Sequence, residues 1–339
     1  MRATREILEG IIAGQDLSAR ESEEIFSAVM RGEWTPAQLG ALLMGLRMKG
    51  QRVEELVGAT RALRAFMTRV TVDTDHLVDT CGTGGDACNT FNISTAAALV
   101  AATAGARVAK HGNRAVSGRS GSADVLEALG LRLDLTPAQV AACIETVGIG
   151  FLFAPAHHGA MRHAVGPRKE LGIRSLFNLM GPLSNPAAAP HQVLGVYSEV
   201  WLTPLAEAAR ELGGRHVLVV HGHDGLDEIS LSGPTEVAEL RAAEVHRYRL
   251  QPEDFGLERA PLAALQIADV AEAAAAFVTV LQNQPGPRRD IVLLNAGAAL
   301  YAADVVASLA AGVERAREVL DAGAVWQKWQ DLLRFAREV

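Results

Sequence analysis

Over the first 70 or so residues apolar side chains return every three or four positions: Leu8, Ile11 and Ile12, then Ile25 and Val29, then Leu39, Leu42, Leu43 and Leu46, then Leu56, Leu63 and Phe66. That period lays an apolar stripe along one face of a helix, so this stretch predicts a small, purely helical unit. Ser18-Ala-Arg-Glu21 and Thr35-Pro36-Ala-Gln38 read as capping boxes, the second with proline at the first helical position, where its missing N–H costs nothing. From about Leu77 the pattern changes. Short apolar runs (Leu77–Asp79, Ala106–Lys110, Leu131–Leu135, Ile149–Phe153) now alternate with alanine-rich stretches of helical length. Such alternation calls for right-handed crossovers and a mostly parallel sheet. Residues 157–185 turn helical again with no strand between them, strands return at His191–Tyr197 and Arg215–Gly222, and further helices follow from Ala268. The fold class is therefore α/β: a helical domain over residues 1–73, joined in space by helices from about 157–185, and a larger α/β domain over 74–339 with a mostly parallel central sheet.

Composition narrows the function. At 339 residues the chain is long enough for about two domains. With 49% apolar and 21% charged residues it reads as a soluble globular protein, and its apolar runs are too short and too often broken by Arg, Lys or Gly to cross a bilayer. The opening MRATREILEG has neither an apolar core nor a small-residue cleavage site, so the expectation is a cytoplasmic protein. Three cysteines, Cys81, Cys88 and Cys143, with no CxxC pair suggest neither a disulfide framework nor zinc. A net charge of -7 argues against a general nucleic-acid or membrane-surface binder and leaves room for a small anionic ligand in a local basic pocket.

Four stretches carry chemistry. In the first, the run Leu77–Asp79 enters a loop with Gly82, Gly84 and Gly85 and leaves at a helix start containing Asn92, Ser94 and Thr95. Glycines there permit positive φ and clear space, and a helix start offers free N–H groups and a favourable dipole, which together make a phosphate cradle. A tight strand-to-helix turn would look similar; the Walker and GxGxxG patterns are both absent. Second, Lys110-His-Gly-Asn-Arg114-Ala-Val-Ser117 follows the next strand, with Gly118, Gly121 and Ser122 at the next helix start. One basic turn is common, but two donor-rich loops in register at one sheet edge is where ligands of open α/β folds bind. Third, after the strand ending near Val220 comes His221-Gly-His223-Asp-Gly-Leu-Asp227-Glu228. Adjacent acids usually mark a surface turn; at the edge that carries a phosphate loop, they suit Mg2+. His221 and His223 lack further matched metal ligands. Fourth, Arg168 to Arg174 and on to Asn185-Pro186 reads by composition as an exposed helix end.

In this order and spacing, GTGGD…TFNIST, KHGNRAVS…GSADVLEALG, GFLFAP…AMRHAVGPRKELGIRSLFNLMGPLSNP, DGLDEIS and GPRRDIVLLNAGAALY resemble the anthranilate phosphoribosyltransferases over nearly the whole chain. These are pentosyltransferases that join anthranilate to 5-phosphoribosyl pyrophosphate in tryptophan biosynthesis. The resemblance implies the nucleoside phosphorylase/phosphoribosyltransferase fold class, a homodimer formed through the helical parts, Mg2+, and a cleft between domains holding both substrates. It implies that Gly82, Gly85, Asp86, Thr90, Asn92, Ile93, Ser94 and Thr95 bind the phosphoribosyl donor. Lys110, His111, Gly112, Asn113, Arg114, Ala115, Val116, Ser117, Gly118 and Ser122 would contact the same substrate. Ser94, Asp227 and Glu228 match the magnesium ligands; Gly82, Asn113 and Arg168 match the anthranilate site, with His111, His158 and Pro182 nearby. The chain departs from the family pattern at Gly118, at Gly159 and in Leu265–Ala273. A phosphorolytic nucleoside enzyme and a catalytically silent nucleic-acid-binding relative are the competing readings; the RKELG arginine and the acid pair favour the transferase over both.

Overall fold

The structure is a computed structural model and describes residues 2–115 and 119–339. Four helices open the chain: α1 (Thr4–Ile12), α2 (Ala19–Met30), α3 (Pro36–Lys49) and α4 (Val53–Ala65). Ser18 and Thr35 cap α2 and α3, accepting from the Glu21 and Gln38 N–H groups while those side chains accept from the cap N–H groups. The stripes meet in Ile11, Ile25, Val29, Leu39, Leu42, Leu43, Leu46, Leu56 and Leu63, all buried and joined by Phe26, whereas Ile12 at the end of α1 and Phe66 just past α4 are exposed and stand outside the core.

The larger part begins with β1 (Leu77–Gly82), α5 (Ile93–Thr103), β2 (Arg107–Gly112), α6 (Ser122–Ala128), α7 (Pro137–Val147) and β3 (Ile149–Phe153). Three strandless helices follow, α8 (Ala154–His157), α9 (Arg162–Leu171) and α10 (Leu176–Met180). Then come β4 (His191–Gly195), α11 (Leu202–Glu211), β5 (His216–Gly222), β6 (Thr235–Arg241) and β7 (Glu244–Leu250). The chain closes with α12 (Val270–Leu281), α13 (Pro287–Ala302), α14 (Leu309–Asp321) and α15 (Ala324–Glu338). The sheet order is β3-β2-β1-β4-β5-β6-β7, with the first five strands parallel and the last two antiparallel. After β3 the chain returns to the far side of β1, so the order reverses between β1 and β4. Carboxyl ends of strands at such a switch point form the crevice in which open α/β sheets hold ligands.

Both faces of the sheet are covered, and the period of two decides which residue serves which face. Val78, Val108, Val193, Leu218 and Val220 join the core built with α5 and α12–α15. Leu194, Val217, Val219, Ala238 and Leu240 point the other way, into one apolar cluster with α11, α2–α4 and the α9–α10 residues Ala164, Leu176, Phe177 and Met180. Phe26 and Phe177 meet edge to face there, 5.7 Å between centroids.

One local expectation fails for a physical reason. Leu131–Leu135 alternates correctly but forms no strand; it follows α6, and Arg132 donates to the Ala336 and Val339 carbonyls, tying the segment to the C-terminal helix rather than to a sheet neighbour. The helix start expected at Asn92, Ser94 and Thr95 is there: Asn92 holds the N-cap position of α5, its carbonyl accepting the Ala96 N–H while its side-chain oxygen accepts from Ser120 Oγ at 3.1 Å. The β6–β7 hairpin was not foreseen: its turn is Ala242-Ala243, both at positive φ, in place of the Asn-Gly that signals such turns.

Candidate functional site

The glycine loop leaves β1 at the switch point. Gly84 and Gly85 adopt φ of +66° and +78°, a region that side chains with a Cβ avoid. Gly82 is required for space instead: a Cβ there would collide with Asp227 Oδ2, and one on Gly195, at the end of β4, would overlap the Asp227 carbonyl oxygen. Two glycines on neighbouring strand ends thus form the socket that receives Asp227. From it, Asp227 Oδ2 accepts the Gly84 N–H at 2.9 Å, while Glu228 Oε1 accepts the Ser94 N–H at 3.1 Å in the first turn of α5. The two acids, the glycine loop and the first turn of α5 are one hydrogen-bonded assembly. The loop's far side is braced by the segment that departs from the family pattern: Phe91 N–H donates to the Leu265 carbonyl and Ile267 N–H to that of Asn89, both at 3.0 Å.

Burial, then the charges of Asp86 and Glu228, push the Asp227 carboxyl well above its ordinary range. Burial pushes Glu228 up to about 7, opposed mainly by the Lys110 charge. Asp86, Asp227 and Glu228 have no ion pair among the described residues. Groups of three His, Cys, Asp or Glu side chains arranged to hold a metal are also absent among the described residues. Carboxylates that repel one another beside a glycine loop and a helix start fit a hard cation that completes its shell with ligand oxygens and water, as Mg2+ does. His221 and His223 are occupied elsewhere, with the Val196 carbonyl at 2.7 Å and Glu236 at 3.1 Å.

Sequence reasoning missed what fixes the acid loop. Asn295 of α13 is buried; its Oδ1 accepts the Ile229 N–H at 3.0 Å, and its Nδ2 donates to the Ile229 and Ile291 carbonyls, each at 2.9 Å. The residue next to Glu228 is therefore gripped through both its N–H and its carbonyl. The asparagine inside LLNAG, an amide in an apolar helix, was the available signal.

At the end of β2, Lys110 is buried and donates to the Thr80 carbonyl of β1. The His111 N–H donates to Asp79 Oδ1 at 3.1 Å, a buried carboxylate not foreseen as part of this edge. Gly112 is pressed against Ser122 and Phe151. Asn113 accepts on its carbonyl from Ala123 N–H and Ser122 Oγ, while Ala115 N–H donates to Asp124. Arg114 binds both carboxylate oxygens of Glu127, at 2.7 and 3.0 Å, reaches Asp124 at 3.3 Å and lies over Phe153. Val116, Ser117 and Gly118 lie outside the described residues.

A second group lies beside β2 and β3. His111 Nε2 and His158 Nε2 are 3.3 Å apart, both rings buried. Burial lowers His111 well below the usual imidazole range, and burial with the neighbouring His157 charge lowers His158 to about 4. Both are neutral at pH 7, one donating to the other. Arg168 of α9 lies over the Phe177 ring at 5.0 Å, is partly buried, and has no carboxylate partner or hydrogen bond to the loops among the described residues. Pro182 offers its carbonyl to Gln192 Nε2 at 2.7 Å. A separate cleft of about 830 Å³ lined by Arg210, His216, Arg241 and Asp304 sits at the opposite edge of the sheet, away from these donors.

Residues 74–326 match the glycosyl transferase family a/b domain, and residues 5–67 match the glycosyl transferase family helical bundle domain. The chain is 75% identical over 329 residues to an anthranilate phosphoribosyltransferase of Acidithiobacillus ferrooxidans, covering 97% of each chain. It is 56% identical over 333 residues to that of Methylococcus capsulatus, covering 98% of each. Among solved structures, the enzyme from Thermus thermophilus superposes with a TM-score of 0.93 at 46% identity, covering 97% of this chain and 99% of that one. The Saccharomyces cerevisiae enzyme, solved with phosphoribosyl pyrophosphate and Mg, gives 0.91 at 26% identity, covering 99% and 98%.

Proposed function

The chain belongs to the anthranilate phosphoribosyltransferase family and transfers the 5-phosphoribosyl group of phosphoribosyl pyrophosphate to the amine of anthranilate, and we propose that it does so at the β1–β4 switch point. The observation that carries this placement is the Asp227 socket, which joins the glycine loop, the first turn of α5 and the acid pair into one assembly.

In the reaction the bond from the ribose anomeric carbon to pyrophosphate breaks and a C–N bond forms. Positive charge develops on the sugar, as in glycoside chemistry, and negative charge on the leaving group. The N–H groups of Gly85 and Thr95, with the Asn92 and Thr95 side chains and the Lys110 ammonium, bind the donor's phosphates and absorb that negative charge, the Ile93 and Ser94 N–H groups being already given to Phe91 and Glu228. Asp227, Glu228 and the Ser94 hydroxyl would hold Mg2+, which supplies further neutralisation of the pyrophosphate when bound. Arg168 pairs with the anthranilate carboxylate. Gly82 and Asn113 bound the ring, and the neutral His111 and His158 with Pro182 complete an uncharged wall. The arylamine is neutral near pH 7 and attacks without prior deprotonation, shedding its extra proton to solvent once the C–N bond has formed, so orientation rather than base catalysis dominates.

The same reading divides the chain near residue 73, assigns 157–185 to the helical unit, pairs two copies through that unit, and places the enzyme in the cytoplasm. No described helix is long and apolar enough to cross a membrane. The direct test is loss of anthranilate fluorescence on adding the donor and Mg2+; fluorescence that stays constant under saturating donor overturns the assignment.

A further inference from the structure

We propose that Arg174 is a positioning residue through which the segment carrying Arg168 sets the shape of the glycine loop; this rests on the reading that the loop binds the phosphoribosyl donor. Arg174 lies between α9 and α10, six positions beyond Arg168. Its guanidinium stacks on the Tyr197 ring, 4.3 Å from the centroid, and Nη1 donates to the Gly85 carbonyl at 2.6 Å. Its own carbonyl accepts from Arg47 of α3, which anchors the Arg174 backbone to the opening helices.

The three residues of the loop's turn are each held by a different element. Thr83 N–H donates to the Gly195 carbonyl, and Thr83 Oγ1 accepts the Tyr197 N–H. Gly84 is held by Asp227. Gly85 is held by Arg174. The first tie comes from the end of β4 and the residues just after it, and the second from the acid loop that follows β5. The third comes from the helical segment, so the orientation of the Gly85 peptide depends on where that segment stands relative to the sheet. The acceptor-side arginine and the donor loop are in this way linked by six residues of chain and one charge-assisted hydrogen bond.

The side-chain type fits the task. A planar guanidinium can stack on a ring and donate in its own plane at once; an ammonium can make the hydrogen bond but not the stack. A Cβ on residue 85 would sit in ordinary contact with Arg174 Cδ at 3.4 Å, so glycine is favoured there by its φ of +78° rather than by space.

The experiment compares Michaelis constants for both substrates in Arg174→Ala, Arg174→Lys, Tyr197→Leu and the Arg174→Ala/Tyr197→Leu pair, with Gly82→Ala as reference. Arg174→Ala is expected to raise the donor constant by about tenfold, the usual effect of losing one charge-assisted hydrogen bond near solvent. The anthranilate constant should stay within about twofold on that same estimate. Lysine should recover part of the loss. Tyr197→Leu should raise the donor constant less, and the pair should be no worse than Arg174→Ala alone, because both act through one contact. Equal changes in both constants, additive effects in the pair, or an unchanged donor constant in Arg174→Ala overturns the proposal. Gly82→Ala pushes on Asp227 directly. If it raises the donor constant while Arg174→Ala does not, only the positioning role fails; if neither does, the loop is not the donor site.

Discussion

Arg168 is partly buried without an acid beside it, an arrangement that costs solvation and that an anionic ligand relieves. Arg168→Ala should therefore raise the Michaelis constant for anthranilate by about 10- to 100-fold, the range of a lost charge-assisted pair, and change that for the donor far less. Lysine should rescue only partly, because it cannot meet a carboxylate with two parallel N–H groups. Steady-state titration of each substrate checks this, and equal shifts in the two constants would count against the role. The histidine pair gives a second prediction. His158 falls from 6.5 to about 4 on folding, so between these values the unfolded chain binds the extra proton and stability declines as pH falls. His158→Gln should remove up to about 1.4 kcal/mol per pH unit of that decline. Urea unfolding between pH 7 and 4.5 measures it, and a slope unchanged by the substitution would show that the ring is not buried as described. Single residues were only partly legible in sequence: Asp227-Glu228 and Arg168 stand out as charged types, whereas Gly195 is an ordinary strand residue until the fold brings Asp227 against it.

At the scale of elements, the loops of the candidate site are held by neighbours distant in sequence. The acid loop after β5 is held to α13 by Asn295, 66 residues beyond Ile229. Asn295→Leu keeps the branching at Cγ but leaves the Ile229 N–H and carbonyl without partners. It should weaken magnesium activation by about tenfold or more, the result of unsatisfied buried groups displacing the adjacent Glu228, while the anthranilate constant changes little. A magnesium titration at saturating substrates separates this from a general loss of stability, which would lower activity equally at all magnesium concentrations. For Asp227→Asn with Glu228→Gln, turnover should be lost and excess magnesium should restore it only weakly, with the fold retained. Normal activity of that pair at limiting magnesium would reduce the two acids to a surface turn. Regular elements were readable where packing and local signal agree, as in the capped helices α2 and α3 or the buried strands β1 to β5. They were not readable where tertiary partners override the pattern: Leu131–Leu135 alternates like a strand but meets the C-terminal helix, and the β6–β7 turn uses alanines at positive φ.

For the whole molecule, the two sequence families meet in one core. Apolar residues of α2–α4 share a cluster with α9–α10 and with the sheet-face residues Leu194, Val217, Val219, Ala238 and Leu240. Removing the opening helices would strip that face and the cover of α10 together, exposing a contiguous apolar surface of the kind that drives aggregation. Arg64 ties the same boundary with polar contacts, donating to the Leu183 and Leu212 carbonyls at 2.8 Å each, so loss of α4 would also leave two carbonyls near the core without their donor. The helical run over 157–185 suggests in sequence that these helices join the opening ones, but the change from helical to strand periodicity carries no information on which sheet face the opening helices cover, so the sharing of that core with Leu194, Val217 and Val219 could not be read. A fragment starting at residue 74 is therefore expected to lack cooperative unfolding, to bind a hydrophobic dye and to lose near-ultraviolet dichroism, while the intact chain unfolds in one transition seen alike by calorimetry and fluorescence. A soluble fragment with a sharp thermal transition and native dichroism would show that the α/β part closes its own core, and the unit boundary would then also be a folding boundary.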